Sequence, residues 1–176
     1  MRIIDGKFKK YKVNFNKKIK IRPTTDFAKE ALFNILENKY DFNKISVLDL
    51  CSGSGNISYE FCSRQALSVT SVEKNIKCIN FIKKQKNIMN MNLDIIKNDV
   101  LRFLMKTNKK FDVIFADPPY NFENTYLIHN IIFEKKILSK KGTLIIEHGN
   151  KSDFQSLEKY KETRVYGKVN FSFFNN

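Results

Sequence analysis

Two short runs hold residues whose types and spacing can do chemistry. The first is Asp117-Pro118-Pro119-Tyr120, directly after the apolar run FDVIFA, and it uses two of the chain's three prolines. Successive prolines fix φ and restrict the residue before them, so they hold a stiff, exposed turn with a carboxylate at one end and an aromatic ring at the other. That pairing suits a planar base with an exocyclic amine: Tyr120 stacks on the ring while Asp117 and the Pro118 carbonyl accept the two N–H hydrogens. A ring-conjugated amine attacks a methyl group only after its lone pair is drawn out of the ring plane. Positioning and stabilisation of the developing ammonium then supply most of the rate, and a proton leaves late. A plain turn after a buried strand is the competing reading of these four residues.

The second run, Asp49-Leu50-Cys51-Ser52-Gly53-Ser54-Gly55-Asn56, ends another apolar stretch and uses two of six glycines. Glycines here let backbone approach a nucleoside closely, although many strand-to-helix turns use them only to bend. Ser58 stands where a dinucleotide fingerprint would place its third glycine, and Asp49 disfavours a pyrophosphate, which argues against a nicotinamide cofactor. Glu73, 18 residues after Gly55, can accept both ribose hydroxyls of a nucleoside; Asp99 can accept from an adenine amine or merely cap a helix. Together the three acids outline an adenosine site, and a cationic sulfonium sits better among carboxylates than a diphosphate does.

The elements that must position these residues follow from periodicity. ISVLDLC (45–51), SVTSVE (68–73), LDIIKND (93–99), FDVIFAD (111–117) and TLIIEHG (143–149) are Val- and Ile-rich runs that read as buried parallel strands. Segments of helical length, 54–66, 75–91 and 122–138, lie between them, which is the βαβ rhythm of a doubly wound α/β sheet with helices on both faces. A further helix is expected near 152–160. ETRVYG (162–167) and VNFSFF (169–174) are too close for a parallel crossover, so they pair antiparallel if they pair with each other.

The first 44 residues differ in character and are expected to form an appendage to a domain spanning 45–176. MRIIDGKFKKYKVNF reads as a two-stranded ribbon turning at Gly6-Lys7, supported by the main domain. RPTTD (22–26) precedes Phe27, Ala28, Ala31, Leu32, Ile35 and Leu36, an apolar helix face expected to pack on the sheet's edge.

At 176 residues and 42% apolar, the chain suits one domain with a real core. Thirty-two Lys and Arg against 18 Asp and Glu leave a net charge of +14, which favours a polyanionic partner and disfavours a stand-alone enzyme of small acids. An A/T-rich coding sequence would also inflate Lys, but it would do so evenly. Residues 1–22 carry nine basic side chains against one acid, so this eighth of the chain holds eight of the net charges. The concentration reads as a phosphate-binding arm. Cys51, Cys62 and Cys78 show neither C-x-x-C nor a nearby His pair, so buried thiols are expected and no metal site. No apolar stretch is long enough to span a bilayer and the start lacks a secretory h-region, so a cytoplasmic location is expected. His129 and His148 are read as structural.

The motifs resemble a known family. The Asp-x-x-x-Gly-x-Gly turn with DPPY is similar to class I S-adenosylmethionine-dependent methyltransferases that methylate amines. RIIDGKFK, RPTTDFAKEALFNIL (22–36), VLDLCSGSG (47–55), VEK (72–74), FDVIFADPPY (111–120), LIIEHG (144–149) and YGKVNFSFF (166–174) resemble the RsmD family along almost the whole chain. The resemblance implies a seven-stranded Rossmann-like sheet with an antiparallel last strand, and methylation of the N2 amine of one guanosine in small-subunit (16S) ribosomal RNA. A basic enzyme of this size needs no partner subunit, so a monomer is expected, and the RNA substrate is either naked or in an assembling particle. The resemblance also implies cofactor contacts at Asp49, Cys51, Ser52, Gly53, Ser54, Gly55, Glu73, Lys74, Asp99 and Val100. Target-base contacts would fall on Asp117, Pro118, Pro119 and Tyr120. The basic N-terminal arm, read from its charge, is expected to place RNA contacts on Arg2, Lys7, Lys9, Lys10, Arg22, Thr24 and Thr25. Ser58 departs from a glycine that relatives often carry. The local residues alone also fit adenine-N6 methylation of DNA or RNA, because both purines offer an exocyclic amine. A catalytically silent RNA-binding protein on the same fold is the reading from another class; the intact DPPY argues against it.

Overall fold

A computed structural model describes residues 1–15, 24–119, 125–150 and 152–176. Seven strands form one sheet: β1 (Ser46–Leu50), β2 (Ser68–Glu73), β3 (Asp94–Lys97), β4 (Phe111–Ala116), β5 (Leu138–His148), β6 (Tyr160–Tyr166) and β7 (Val169–Asn175), in the spatial order β3-β2-β1-β4-β5-β7-β6. The first five run parallel, and β7 is antiparallel to both β5 and β6. The antiparallel last strand read from the terminal pair is therefore present, linked to β6 by Gly167 and Lys168.

The central strands are apolar on both faces because helices cover both. One layer contains α1 (Asp26–Glu37) and α2 (Asn56–Ser63), packed with α3 (Ile76–Met89) against Val47, Val113, Phe115, Ile145 and Phe171. The other contains α4 (Val100–Lys106) and α5 (Thr125–Glu134), packed against Leu48, Leu50, Ile114, Leu144 and Ile146. The alternation of odd and even strand residues between the two layers is the period-2 geometry of a pleated strand.

Three expectations about the local structure change. The N-terminal ribbon contracts to a single antiparallel bridge, Arg2 to Lys12, because residues 5–10 form a wide turn docked on α2. Gly6 sits at φ +84° with its α-carbon so close to Ser63 that an added Cβ would lie 2.1 Å from the Ser63 carbonyl oxygen. Helix α1 lies across the face of the sheet and not at its edge: Phe33, Leu32 and Leu36 are buried with residues of β1, β4, β5 and β7, each such burial contributing roughly 1.5–3 kcal/mol. Thr25 starts this helix by accepting from the Ala28 amide at 3.2 Å. Residues 152–160 hold turns and no helix; Phe154 anchors them in the core, and Lys159 takes a left-handed φ of 63° that ends any helical path.

A buried polar network ties the N-terminal turn to α1 and α2. The Lys29 ammonium donates to the Arg2 carbonyl at 2.6 Å and to Asn56 Oδ1 at 2.8 Å, and pairs with Glu60 Oε2 at 3.2 Å. Glu60 also accepts from the Ile4 and Asp5 amides and from Arg64 Nε. Burial depresses the Lys29 pKa, with the Glu60 charge opposing. Such a pair is costly to desolvate but more costly to break by halves.

Candidate nucleoside and base site

Between β2 and β4, the neighbours of β1, the chain reverses its order of strand addition, which opens a crevice at the carboxyl ends of the parallel strands. The crevice has a volume of about 420 Å³. On one side stand the 51–54 turn, Glu73, Lys74, Asp99 and Val100; on the other stand Phe115, Asp117, Pro118 and Pro119. Every sequence-predicted cofactor residue lines it except Gly55. Gly55 is the N-cap of α2 at φ +82°, where a Cβ would come within 2.7 Å of the Tyr59 ring, so it shapes the turn from behind.

Hydrogen bonds fix the turn. Ser52 N donates to the Val72 carbonyl at 3.2 Å, and Gly53 N donates to Glu73 Oε2 at 2.8 Å. Glu73 Oε1 accepts from the Lys74 and Asn75 amides at 2.9 and 2.7 Å. Three accepted bonds leave the Glu73 carboxylate about one more lone-pair direction, enough for a hydroxyl. Asp99 caps α4 through Leu101 N and Arg102 N, so its capping role and its place in the crevice coexist.

Asp49 is buried at the floor and accepts from Ser58 N at 3.0 Å and from the Ser58 hydroxyl at 2.5 Å. Ser58, the departure from the glycine pattern, is thus the partner that satisfies Asp49. Burial pushes the Asp49 carboxyl up to about 7; the Ser58 bonds pull it down and the Glu73 charge pushes it further up. Burial likewise holds the thiols protonated: Cys51 is raised, Cys62 is raised to about 12 and Cys78 to about 11.

The donor set fits an adenosyl sulfonium. Among the described residues, Asp49, Glu73, Asp99, Asp117 and Glu147 line the crevice against the single Lys74. Acceptors outnumber donors, which suits hydroxyls, amines and a positive charge and disfavours a diphosphate.

Sequence reading gave no role to Glu147, and none to Asn56 beyond its place in the 49–56 run; both line the crevice and both are buried. Glu147 was readable in principle, since it ends an apolar strand run as Asp49 and Glu73 do. Tyr120 and Arg22 lie outside the described residues. Arg2, Lys7, Lys9 and Lys10 are exposed. Arg2 pairs with Asp26 at 3.1 Å and Lys9 with Asp5 at 2.8 Å, exposed pairs of little energetic weight that a phosphate can replace. Thr24 corrects the expected RNA contacts: it is 5% exposed and turned inward, donating to Glu147 Oε2 at 2.5 Å, while Thr25 is exposed and caps α1. His148 bridges the Gly149 carbonyl and Ser172, with its pKa lowered by burial, and His129 contacts the Glu158 carbonyl; both serve structure.

A family model described as Conserved hypothetical protein 95 matches residues 1–175. The chain belongs to this family. It is the RsmD family that the motifs resemble. A Buchnera aphidicola protein (subsp. Acyrthosiphon pisum, strain APS) named ribosomal RNA small subunit methyltransferase D is 36% identical over 170 residues, covering 94% of this RsmD-family chain and 85% of that one. A hypothetical protein of Thermus thermophilus superposes with a TM-score of 0.88 at 22% identity, over 100% of this chain and 99% of that one. An RNA methyltransferase from Salinibacter ruber, solved with S-adenosyl-L-homocysteine, superposes with a TM-score of 0.68 at 14% identity over 88% and 93% of the two chains. Both likenesses establish the fold: a methyltransferase-type Rossmann-like sheet. Among the described residues, no helix is long and apolar enough to cross a membrane.

Proposed function

We propose that this protein transfers a methyl group from S-adenosylmethionine to the exocyclic N2 amine of a guanosine in small-subunit (16S) ribosomal RNA. It would act as a cytoplasmic monomer on RNA that is naked or held in an assembling particle. The observation that carries the reading is the meeting of two motifs in one crevice: Asp117, Pro118 and Pro119 face the same space as the 51–54 turn. The name borne by the Buchnera relative supports the substrate class, and the Salinibacter structure supports the cofactor.

The carboxylates at the ends of the parallel strands receive the adenosine half of the cofactor. Glu73 accepts a ribose hydroxyl, Asp99 with Val100 borders the adenine, and the amides of the Ser52–Ser54 turn and Lys74 border the rest. When bound, the cofactor would supply an electrophilic methyl group to the amine nitrogen, and the proton that nitrogen then loses would pass to the Asp117 carboxylate, which already accepts one of its hydrogens. Asp117 and the Pro118 carbonyl accept the two amine hydrogens, which turns the lone pair out of the purine plane and stabilises positive charge as it develops on nitrogen. Tyr120 would stack on the base. The crevice walls Phe115 and Val72 exclude water from the reacting centre.

Residues 1–44 serve as the RNA-contacting appendage to a methyltransferase domain at 45–176, with Arg2, Lys7, Lys9, Lys10, Arg22 and the Thr25 hydroxyl toward the phosphate backbone. The test has two steps. Calorimetric titration with S-adenosylhomocysteine and NADH should give binding of the first only. Incubation with methyl-labelled cofactor and unmodified small-subunit RNA, naked and in particles, should put label in N2-methylguanosine. Label in N6-methyladenosine would move the protein to the adenine enzymes, and tight NADH binding without the homocysteine ligand would overturn the reading.

A further inference from the structure

Glu147 lines the crevice beside the proline corner, and beyond its share of the crevice's negative charge the chemistry above gives it no role. In the parallel register Ala116 pairs with Ile146, so Asp117, just past the end of β4, and Glu147, near the end of β5, are the next residues side by side. Both face the same space. Glu147 is 2% exposed, so its carboxylate is taken out of bulk water and held in one place. Among what holds it is a relay: Thr24 donates its hydroxyl to Glu147 Oε2 at 2.5 Å, the Thr24 carbonyl accepts from Asn56 Nδ2 at 3.0 Å, and Asn56 Oδ1 accepts from the buried Lys29 at 2.8 Å. A buried carboxylate is costly to keep among apolar strand residues, and one oriented by its own hydroxyl donor is pre-organised for recognition.

We infer that Glu147 is the residue that selects guanine, by accepting the N1–H of the base whose N2 amine Asp117 and Pro118 hold. The inference rests on the proposed methyl transfer and deepens it. The chemistry decides between purines because of the ring nitrogen next to the amine. In guanine that nitrogen carries a hydrogen, so a carboxylate neighbouring the amine pocket gains a charge-assisted bond. In adenine the nitrogen beside the amine is a bare acceptor, and the same carboxylate meets a lone pair. A site built around one donor rejects an analogue that lacks it far more strongly than an apolar pocket rejects a shape. The proline corner alone is blind to this difference, since both bases offer it the same NH2 group.

The test uses 2-aminopurine, which keeps the 2-amino group and has an acceptor at N1. The modified guanosine is first mapped in 16S RNA. That nucleotide is then replaced by 2-aminopurine through ligation, and both RNAs are assayed naked and in reconstituted small subunits. The full-length protein should methylate the guanosine RNA at least about 100-fold better in kcat/KM than the 2-aminopurine RNA. Glu147→Gln, whose amide can donate to an acceptor at N1, should lower kcat/KM on guanosine by about 100-fold and shrink the preference to within about tenfold, with S-adenosylhomocysteine affinity unchanged within about twofold. Thr24→Val, which removes the orienting hydroxyl and keeps the carboxylate, should shift the preference in the same direction by about tenfold and serves if Glu147→Gln does not fold. Equal methylation of the two RNAs by the parent overturns the inference. So does a Glu147→Gln protein that loses activity on both RNAs with the ratio intact, or one that loses homocysteine-ligand binding. Absence of methylation of the guanosine RNA by the parent is a different failure: it removes the proposed methyl transfer itself, and the inference falls with it.

Discussion

Asp49→Asn separates the cost of keeping an acid at the crevice floor from the use of that acid. Asparagine has nearly the same shape and can still accept from Ser58 N and the Ser58 hydroxyl, the two partners of Asp49. It cannot ionise. In the folded protein, burial raises the Asp49 carboxyl from 3.8 to about 7. A raised folded-state pKa means the folded protein holds the proton more tightly than the unfolded chain. The resulting stability is full below pH 3.8 and is lost as pH rises through about 7. The whole span corresponds to roughly 4 kcal/mol at 1.36 kcal/mol per tenfold, and about 3 kcal/mol of it falls between pH 5 and 8. Urea unfolding of parent and variant at several pH values in that window reads the difference directly. The variant should lose about 3 kcal/mol less than the parent between pH 5 and 8. It should also bind S-adenosylmethionine more weakly relative to S-adenosylhomocysteine, because only the former carries a positive charge for the carboxylate to offset. Parallel stability profiles for the two proteins would refute the reasoning, since the buried acid would then not be ionising in this range.

Three further outcomes are expected. Asp117→Ala should lower kcat by about two orders of magnitude or more while leaving S-adenosylhomocysteine affinity nearly unchanged, measured by single-turnover methylation and calorimetry; normal turnover would remove Asp117 from the reacting centre. Neutralising Lys9, Lys10 and Arg22 together should weaken RNA binding and flatten its log–log salt dependence by roughly 0.7–0.9 per lost phosphate contact, and equal slopes would mean that the arm does not touch phosphate. Lys29→Met, which leaves Glu60 buried without its ammonium, should cost about 3–5 kcal/mol in chemical unfolding, and Lys29→Met with Glu60→Gln should recover part of it.

The sheet was legible because its central strands are continuous Val- and Ile-rich runs: ISVLDL and FDVIFA could be buried on both faces only under two helical layers. Short or composite elements were less so. Helix α4 has seven residues, too few to display a helical period. The 152–160 segment carries Phe154, Leu157 and Tyr160 at helical spacing, but a single buried anchor and the left-handed Lys159 decide for turns. The apolar face of α1 was visible while its location was not, since an amphipathic stripe says that a helix is covered and not by which strands.

Four of the crevice acids, Asp49, Glu73, Asp99 and Asp117, were legible for a local reason: each lies at or near the end of an apolar run, and a charge at the carboxyl end of a parallel strand has the ligand crevice beside it. Thr24 shows where local reading stops. Its type suggested a surface hydroxyl, and its partner Glu147 lies 123 residues away, a pairing that no pattern within either segment encodes. Ser58 is similar: a departure from the glycine pattern in sequence, it becomes the partner of Asp49 once α2 is folded back on β1.

The most direct measurement is nucleoside mass spectrometry of small-subunit ribosomal RNA from cells with and without this gene, followed by treatment of the deficient RNA or particles with the purified protein and S-adenosylmethionine. The expected result is one N2-methylguanosine that disappears with the gene and returns with the protein, and that does not return with Asp117→Ala. An unchanged N2-methylguanosine content in the deletion strain, or restoration by Asp117→Ala as fully as by the parent, would contradict methyl transfer at this crevice.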